Sequence, residues 1–134
     1  MIHVHPDNVR LVWNQVKPEL ERLLKRYPDE WIPEQLFAFL THEPPKASLF
    51  SFEGGFLVVE IVTDKNSRKR FLNVWVMCAR GAAKQRRGEL LAFLDKLARD
   101  TQCTEIQYRT ARMGWARAMK GDFEIKSIVL VRKV

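Results

Sequence analysis

Two neighbouring segments of the chain, residues 56–63 and 70–78, alternate in the manner of strands, yet both of their alternating residue sets are apolar. Leu57, Val59 and Ile61 oppose Phe56, Val58 and Val62 in the first segment, and Leu72, Val74 and Val76 oppose Phe71, Trp75 and Met77 in the second. Because apolar residues on both faces have to be kept from water, this sheet must be covered on both sides. The pattern therefore predicts an α/β or α+β domain with helices on both faces of a central sheet.

The segments around these strands supply the helices. Apolar residues keep three-or-four spacing over Val9–Tyr27, which indicates one buried helical stripe. Pro18 lies inside this stripe and predicts a kink or a break into two helices, because proline lacks the N–H donor and clashes with the preceding turn. We expect the side chain of Asp7 or Asn8 to cap the helix. Further helices are predicted at Trp31–Leu40, Gly88–Asp100 and Gly114–Lys120.

The strand signals predict a meander with additional strands on either side of it. Residues 53–55 contain two glycines and join Ala47–Phe52 to Phe56–Thr63 as a hairpin. Turn-forming residues at positions 64–68 then lead into Arg70–Cys78, so three consecutive strands run antiparallel. The remaining predicted strands are Ile2–His5, Thr104–Thr110 and Phe123–Arg132.

Length and composition indicate a single domain. With 134 residues, of which 46% are hydrophobic and 29% charged, the chain is long enough to bury a core of its own. No apolar run approaches the ~20 residues that span a bilayer, and the first residues lack the pattern of a secretory signal. We therefore expect a cytoplasmic protein without a membrane span. Cys78 and Cys103 are expected to be reduced and buried, and the scattered histidines predict no metal site.

One loop of the chain carries four cations and no acidic residue. The net charge of +7 indicates a protein that attracts anions such as nucleotide phosphates, nucleic acid or an acidic protein surface. Arg80, Lys84, Arg86 and Arg87 lie between a strand and the helix that begins at Gly88. Backbone N–H groups in a first helical turn have no intrahelical partner and attract phosphate. The loop is either a solvated basic segment or a phosphate site, and its position before a helix favours the phosphate site.

The end of this loop and the start of the following helix resemble a motif of a known protein family. Residues Gln85–Leu90, with the sequence Gln-Arg-Arg-Gly-Glu-Leu, resemble the pyrophosphate-binding motif Gln/Arg-x-x-Gly-x-Gly/Ala of the GNAT superfamily, the acyl-CoA-dependent N-acyltransferases. The order of predicted elements is similar to that family from Ile2 to Val134. The resemblance implies one GNAT-like domain over residues 1–134, with a mixed, mostly antiparallel sheet of about six strands and helices on both faces.

The resemblance also implies where acetyl-CoA or another acyl-CoA would bind. In the family, the fourth and fifth strands splay apart and pantetheine lies in the gap, paired with the backbone of the fourth strand. Val76 and Met77 occupy that position here. The diphosphate would lie on the following loop and helix start, and the residues implied there are Arg80, Lys84, Gln85, Arg86, Arg87, Gly88, Glu89 and Leu90.

Two positions depart from the family pattern. Leu90 stands where the motif ends in a small residue, so we expect its side chain to crowd the diphosphate. Ala118 aligns with a tyrosine that often protonates the departing thiolate in acyltransferases of the family.

Two other residues are candidates for acid and base chemistry. Glu60 is the one acid inside an apolar strand. If its face is covered, desolvation would raise its pKa into the range useful for a base, whereas an open face would leave it an ordinary surface acid. Tyr108 is a candidate proton donor, with a buried tyrosine whose hydroxyl is hydrogen-bonded as the alternative.

Three functions remain open from the sequence. The first is a CoA-dependent acyltransferase that acts on an amine acceptor. The second is a GNAT-fold protein without catalysis, such as a small phage-encoded structural or interaction protein. The third is a basic nucleic-acid-binding module that uses Lys65, Arg68, Lys69, Arg70 and the 80–87 loop. Because a fold does not determine a function, the site has to decide among them.

Overall fold

Gly55–Thr63 and Arg70–Ala79, the two strands that are apolar on both faces, pair antiparallel within a five-stranded sheet. The computed structural model describes residues 1–81, 86–110, 117 and 121–134. In chain order the elements are β1 (Ile2–Val4), a 3-10 turn (Pro6–Asn8), α1 (Val9–Arg26), α2 (Pro33–Thr41), β2 (Ser48–Phe52), β3 (Gly55–Thr63), β4 (Arg70–Ala79), α3 (Arg87–Asp100) and β5 (Glu105–Tyr108). Neighbouring strands are antiparallel except β4 and β5, which are parallel. The mixed, mostly antiparallel sheet is confirmed.

Each face of the sheet carries its own hydrophobic core. On one face, α1 and α2 pack on β2, β3 and β4 through a buried cluster that includes Val9, Val16, Leu20, Leu36, Leu40, Leu49, Phe56, Val58 and Val76. On the other face, α3 packs through Leu90, Leu94 and Ala98 on Leu57, Val59, Leu72, Val74 and Met77. The expected helices on both faces are therefore present, and they remove the apolar surface of β3 and β4 from water.

A bulge divides β4 into two parts. Val58 pairs with Val76 and Val59 with Val74, so Trp75 is the extra residue on β4. Trp75 and Val76 both pack on the α1 and α2 side, as a bulge requires. We refer to Arg70–Val74 as the first half of β4 and to Trp75–Ala79 as the second half. Since a bulge bends its strand and increases the local twist, the two halves point in different directions.

Helix α1 differs from the prediction at two points. It runs without a break through Pro18, because Val16 and Leu20 on either side of the proline are buried in the core and hold both turns in place. Asn8 precedes the helix but makes no side-chain capping hydrogen bond, so the predicted cap is wrong.

Within the described part of the chain, no helix is long and apolar enough to cross a membrane.

The predicted sixth strand is not formed in the described residues. Phe123–Arg132 carries the alternation of a strand, yet residues 123–134 make no strand pairing, and Ile125, Ile128, Val129, Leu130 and Val131 are exposed. Alternation alone does not supply the partner strand that a ladder requires. The predicted helix Gly114–Lys120 lies outside the described residues, apart from Arg117.

Candidate functional site

The second half of β4 presents a backbone edge that β5 does not reach. The parallel pairing runs from Phe71 opposite Glu105 to Val74 opposite Tyr108, where β5 ends. β4 continues for five more residues, and the strand pairing of Val76, Met77 and Ala79 in the described part of the chain is with β3. Backbone N–H and C=O groups require partners, so an extended ligand can bind along this edge as an added strand does.

Helix α3 begins close to the end of this strand, with an open first turn. The N-cap residue Arg86 makes no side-chain capping hydrogen bond. The N–H of Leu90 donates to the carbonyl oxygen of Arg86 at 3.2 Å, so the N–H groups of Arg87, Gly88 and Glu89 precede the first intrahelical bond. A Cβ added at Gly88 would meet no atom of the described residues within 4 Å. The helix start is therefore open to an approaching anion.

Three of the arginines predicted to hold a diphosphate have partners within the protein. Arg86 donates from its guanidinium to the carbonyl oxygen of Glu53 at 2.9 Å, which ties the start of α3 to the β2–β3 turn. Arg87 lies 3.6 Å from the carboxylate of Asp122. Arg80 pairs with Glu19 on α1 and thus reaches toward the opposite face of the sheet from α3. The remaining implied residues Lys84 and Gln85 lie outside the described residues.

The side chains of Val76 and Met77 on β4 and of Leu90 on α3 point into the hydrophobic cores and away from the open edge of β4. Val76 and Met77 are each only 2% exposed and belong to different cores, so only their backbone groups are available to a ligand. Leu90 is buried in the α3 core. The expectation that Leu90 would crowd a diphosphate is wrong, because its side chain points into the core and away from the open first turn.

Glu60 lies on the sheet face that α1 and α2 cover. Its carboxylate is half-buried and accepts a hydrogen bond of 2.8 Å from the side-chain amide of Asn73, the residue paired with it on β4. Trp75 shares this face and packs edge-on against Trp31 and Phe39, with ring centroids 6.2 and 5.1 Å apart. This face thus carries the Glu60 carboxylate and an aromatic wall.

Tyr108 lies on the other face of the sheet. It is the last residue of β5, is half-buried, and packs against the core that α3 covers. Glu60 and Tyr108 are therefore separated by the sheet and do not form a directly contacting acid–base pair. Tyr108 marks the point at which β5 leaves β4. Ala118, which aligns with the family tyrosine, lies outside the described residues.

Glu105 is a second carboxylate on the same face as Glu60, and the sequence analysis did not single it out. Glu105 accepts hydrogen bonds from Lys69 at 2.7 Å, from Gln107 at 2.6 Å and from Lys126 at 3.0 Å. These bonds, that from Lys69 foremost, lower the pKa of Glu105 from 4.5 to about 2. Glu105 is thus a fixed anion at the start of β5. Alternation in the strand places residues 105 and 107 together, but the lysine partners are remote in sequence and gave no local signal.

Known structures share this fold. No protein-family model and no curated protein sequence matches the chain. A tetramutant of the BH1408 protein from Bacillus halodurans superposes with a TM-score of 0.66 at 13% identity, over 100% of both chains. A probable acetyltransferase gives 0.62 at 16% identity, over 99% of this chain and 97% of its own. An aminoglycoside acetyltransferase from an uncultured soil metagenomic sample, in complex with sisomicin, gives 0.63 at 14% identity, over 98% and 93%. The chain therefore shares the mixed α+β fold of these structures.

Proposed function

We propose that the protein binds an acyl-CoA and transfers its acyl group to an amine. The observation that carries the proposal is the juxtaposition of two open features, the second half of β4 and the first turn of α3. β5 parts from β4 at the Val74–Tyr108 pair, and α3 begins beyond the far end of β4 with three N–H groups ahead of its first intrahelical bond. An extended chain that ends in a diphosphate matches this arrangement.

The residues present fit such a ligand. The backbone of Val76 and Met77 would pair with the pantetheine amides, and the N–H groups of Gly88 and Glu89 would bind the diphosphate. Gly88 leaves room for close approach, because no atom lies within 4 Å of the position of a Cβ. Arg86 and Arg87 add positive charge at the same turn, and Arg86 also fixes the turn against Glu53.

The chemistry assigned to the chain requires one proton acceptor and one proton donor. Bound acyl-CoA would supply a thioester carbonyl carbon that an amine can attack. Glu60 is proposed to take the proton of the attacking amine on its carboxylate, which Asn73 holds in position. The hydroxyl of Tyr108, at the point where β4 and β5 part, is proposed to deliver a proton to the departing sulfur. The two residues act from opposite faces of the sheet.

The acceptor is proposed to approach on the face that carries Glu60. The Glu60 carboxylate, on the same face as the rings of Trp31 and Trp75, attracts a protonated amine through its charge. One structural neighbour is an aminoglycoside acetyltransferase with bound sisomicin, which supports an amine as the acceptor class.

The two alternative functions make different predictions. A nucleic-acid-binding surface needs exposed cations that are free to contact phosphates, yet Lys69 pairs with Glu105, Arg80 with Glu19 and Arg87 with Asp122. This internal pairing engages three of the cations, whereas Lys65, Arg68 and Arg70 are exposed, so the salt dependence of DNA binding has to decide on this alternative. A non-catalytic protein of the same fold would bind CoA without turnover, or would not bind CoA at all.

Thermal stability in the presence of acetyl-CoA tests the binding step. Ligand at a hundredfold excess over its dissociation constant adds about 2.7 kcal/mol to the free energy of unfolding. Gly88→Trp should abolish this gain and leave the fold intact, because its side chain extends into open space. Ala38→Trp is a matched control, since it places the same bulk at an exposed position on α2.

Two results would contradict the binding proposal. One is the absence of stabilisation by millimolar acetyl-CoA. The other is an equal response of Gly88→Trp and Ala38→Trp, which would place the ligand elsewhere. Stabilisation without transfer to any amine would support the non-catalytic alternative, and binding to DNA that persists as the salt concentration rises would support the nucleic-acid alternative.

A further inference from the structure

A cavity separate from the proposed acyl-CoA site lies under α1. Its volume is about 390 Å³, and its lining comes from α1, from β1 to β3 and from the end of β4. The floor consists of the buried side chains Val16, Leu49 and Phe56. All three belong to the core on the α1 and α2 face. The cavity therefore opens on the opposite side of the sheet from α3.

The mouth of this cavity is polar and carries an excess of positive charge. Glu19 and Arg80 line it together. The Nε of Arg80 donates to one carboxylate oxygen of Glu19 at 3.1 Å, and a terminal nitrogen of the same guanidinium contacts the other oxygen. Arg22, one turn further along α1, lies 3.3 Å from the other oxygen of the same carboxylate. One carboxylate is thus shared by two guanidinium groups.

We propose that this cavity binds a small monocarboxylate with an apolar body. The apolar floor favours a hydrocarbon or aromatic group, and burial of that group supplies the hydrophobic part of the affinity. Arg80 would turn its guanidinium to the carboxylate of the ligand, a geometry in which two parallel hydrogen bonds form. Arg22 stays with Glu19, so the exchange leaves no carboxylate without a cation. The site is independent of the proposed acyl transfer.

The charge at the mouth selects among amphiphiles of equal size. An ammonium head group would lie beside two arginines whose shared carboxylate is already engaged, so a cation is disfavoured. A neutral alcohol would gain the same apolar contact but no charge-assisted hydrogen bond from Arg80. A volume of about 390 Å³ is at the lower end of the usual range for small-molecule sites, which suits a ligand of modest length.

Calorimetric titration with octanoate, octan-1-ol and octylamine tests the proposal on the full chain. Octanoate should bind roughly tenfold more tightly than octan-1-ol, which corresponds to one charge-assisted hydrogen bond, and octylamine should bind most weakly. Arg80→Gln should bring the affinities for octanoate and octan-1-ol together. Arg99→Gln, an exposed charge at the end of α3, is the matched control and should leave the tenfold difference unchanged. Equal affinities of the native protein for the three probes would overturn the proposed head-group chemistry.

Thiol alkylation gives a second readout that needs no substitution. Cys78 lines the cavity, whereas Cys103 packs beside the core on the α3 face, and both are half-buried. Octanoate should slow the reaction of Cys78 with iodoacetamide and leave that of Cys103 unchanged, as measured by peptide mass spectrometry. Unchanged alkylation of Cys78 at saturating octanoate would overturn the placement of the ligand in this cavity.

Discussion

The two halves of β4 are both rich in apolar residues but have different partners. The first half pairs with β3 on one side and with β5 on the other. The second half begins at the bulge residue Trp75 and pairs with β3, beyond the point where the pairing with β5 stops. A continuous apolar strand can thus hold the sheet together over one part and extend beyond its neighbour β5 over the next.

The polar contacts of the two halves of β4 also differ. The first half is anchored on its β5 side by Thr104, whose N–H and hydroxyl both donate to the carbonyl oxygen of Arg70, at 2.8 and 3.2 Å. Asn73 in the same half holds Glu60. In the second half, Val76 and Met77 are buried in different cores, and the edge toward β5 is backbone. The first half is therefore structural, and the second half is the part suited to a ligand.

Truncation of Leu72 in the first half should have the largest effect on stability. Leu72 is fully buried, and Leu72→Ala should lower the free energy of unfolding by about 2–5 kcal/mol because it removes core contacts and leaves a cavity. Urea denaturation measures the loss. Leu11→Ala is the matched control, since Leu11 is 74% exposed and its truncation should cost little. A cost for Leu72→Ala no larger than that for Leu11→Ala would contradict the structural role of the first half.

Replacement of Glu60 separates the chemistry from the binding. Glu60→Gln keeps the size of the side chain but removes the proton acceptor, so kcat should fall by about 100-fold. The dissociation constant for acetyl-CoA should stay the same, because the proposed ligand contacts lie on the second half of β4 and on α3. Steady-state kinetics with calorimetry measure both quantities, and Glu43→Gln serves as an exposed control. An unchanged kcat would remove Glu60 from the proposed chemistry.

The smallest expected effect is that of Glu105, at the start of β5, on the free energy of unfolding. It should appear as a pH dependence of stability. The pKa of Glu105 in the folded protein is about 2, against an ordinary value of 4.5. Its stabilising contribution is therefore complete above pH 4.5 and disappears as the pH falls toward 2. The contribution is below about 1 kcal/mol, since the carboxylate is partly exposed. Urea denaturation of the native protein and of Glu105→Gln should give curves that converge over this pH range. A difference between them that stays constant with pH would contradict the assigned hydrogen bonds.

Local patterns predicted most of the architecture. The helix expected at Gly88–Asp100 is present as Arg87–Asp100, and the meander strands lie within two residues of their predicted bounds. These elements have strong periodicity and clear turns, so local sequence is sufficient for them. The anion site at the first turn of α3 was inferred from its position and charge, and it stays a prediction.

Features that depend on contacts between residues far apart in sequence could not be predicted from local patterns. Arg80 was assigned to the diphosphate, yet it pairs with Glu19, which lies 61 positions away. Leu90 was expected beside the diphosphate, but the burial of α3 directs it into the core. Alternation predicted a strand over Phe123–Arg132 without showing whether β5 would pair with it. In each case the position of the residue or segment depends on tertiary contacts, which local sequence patterns do not report.

A titration followed by backbone amide NMR tests the central claim most directly. Addition of acetyl-CoA to the labelled protein should shift the amide signals of Val76, Met77 and Gly88, because these groups contact the ligand in the proposed site. The signals of Leu72 and Asn73, in the half of β4 that β5 already covers, should move little. Equal shifts in both halves, or shifts confined to the first half, would contradict the assignment of the second half of β4 as the acyl-CoA edge.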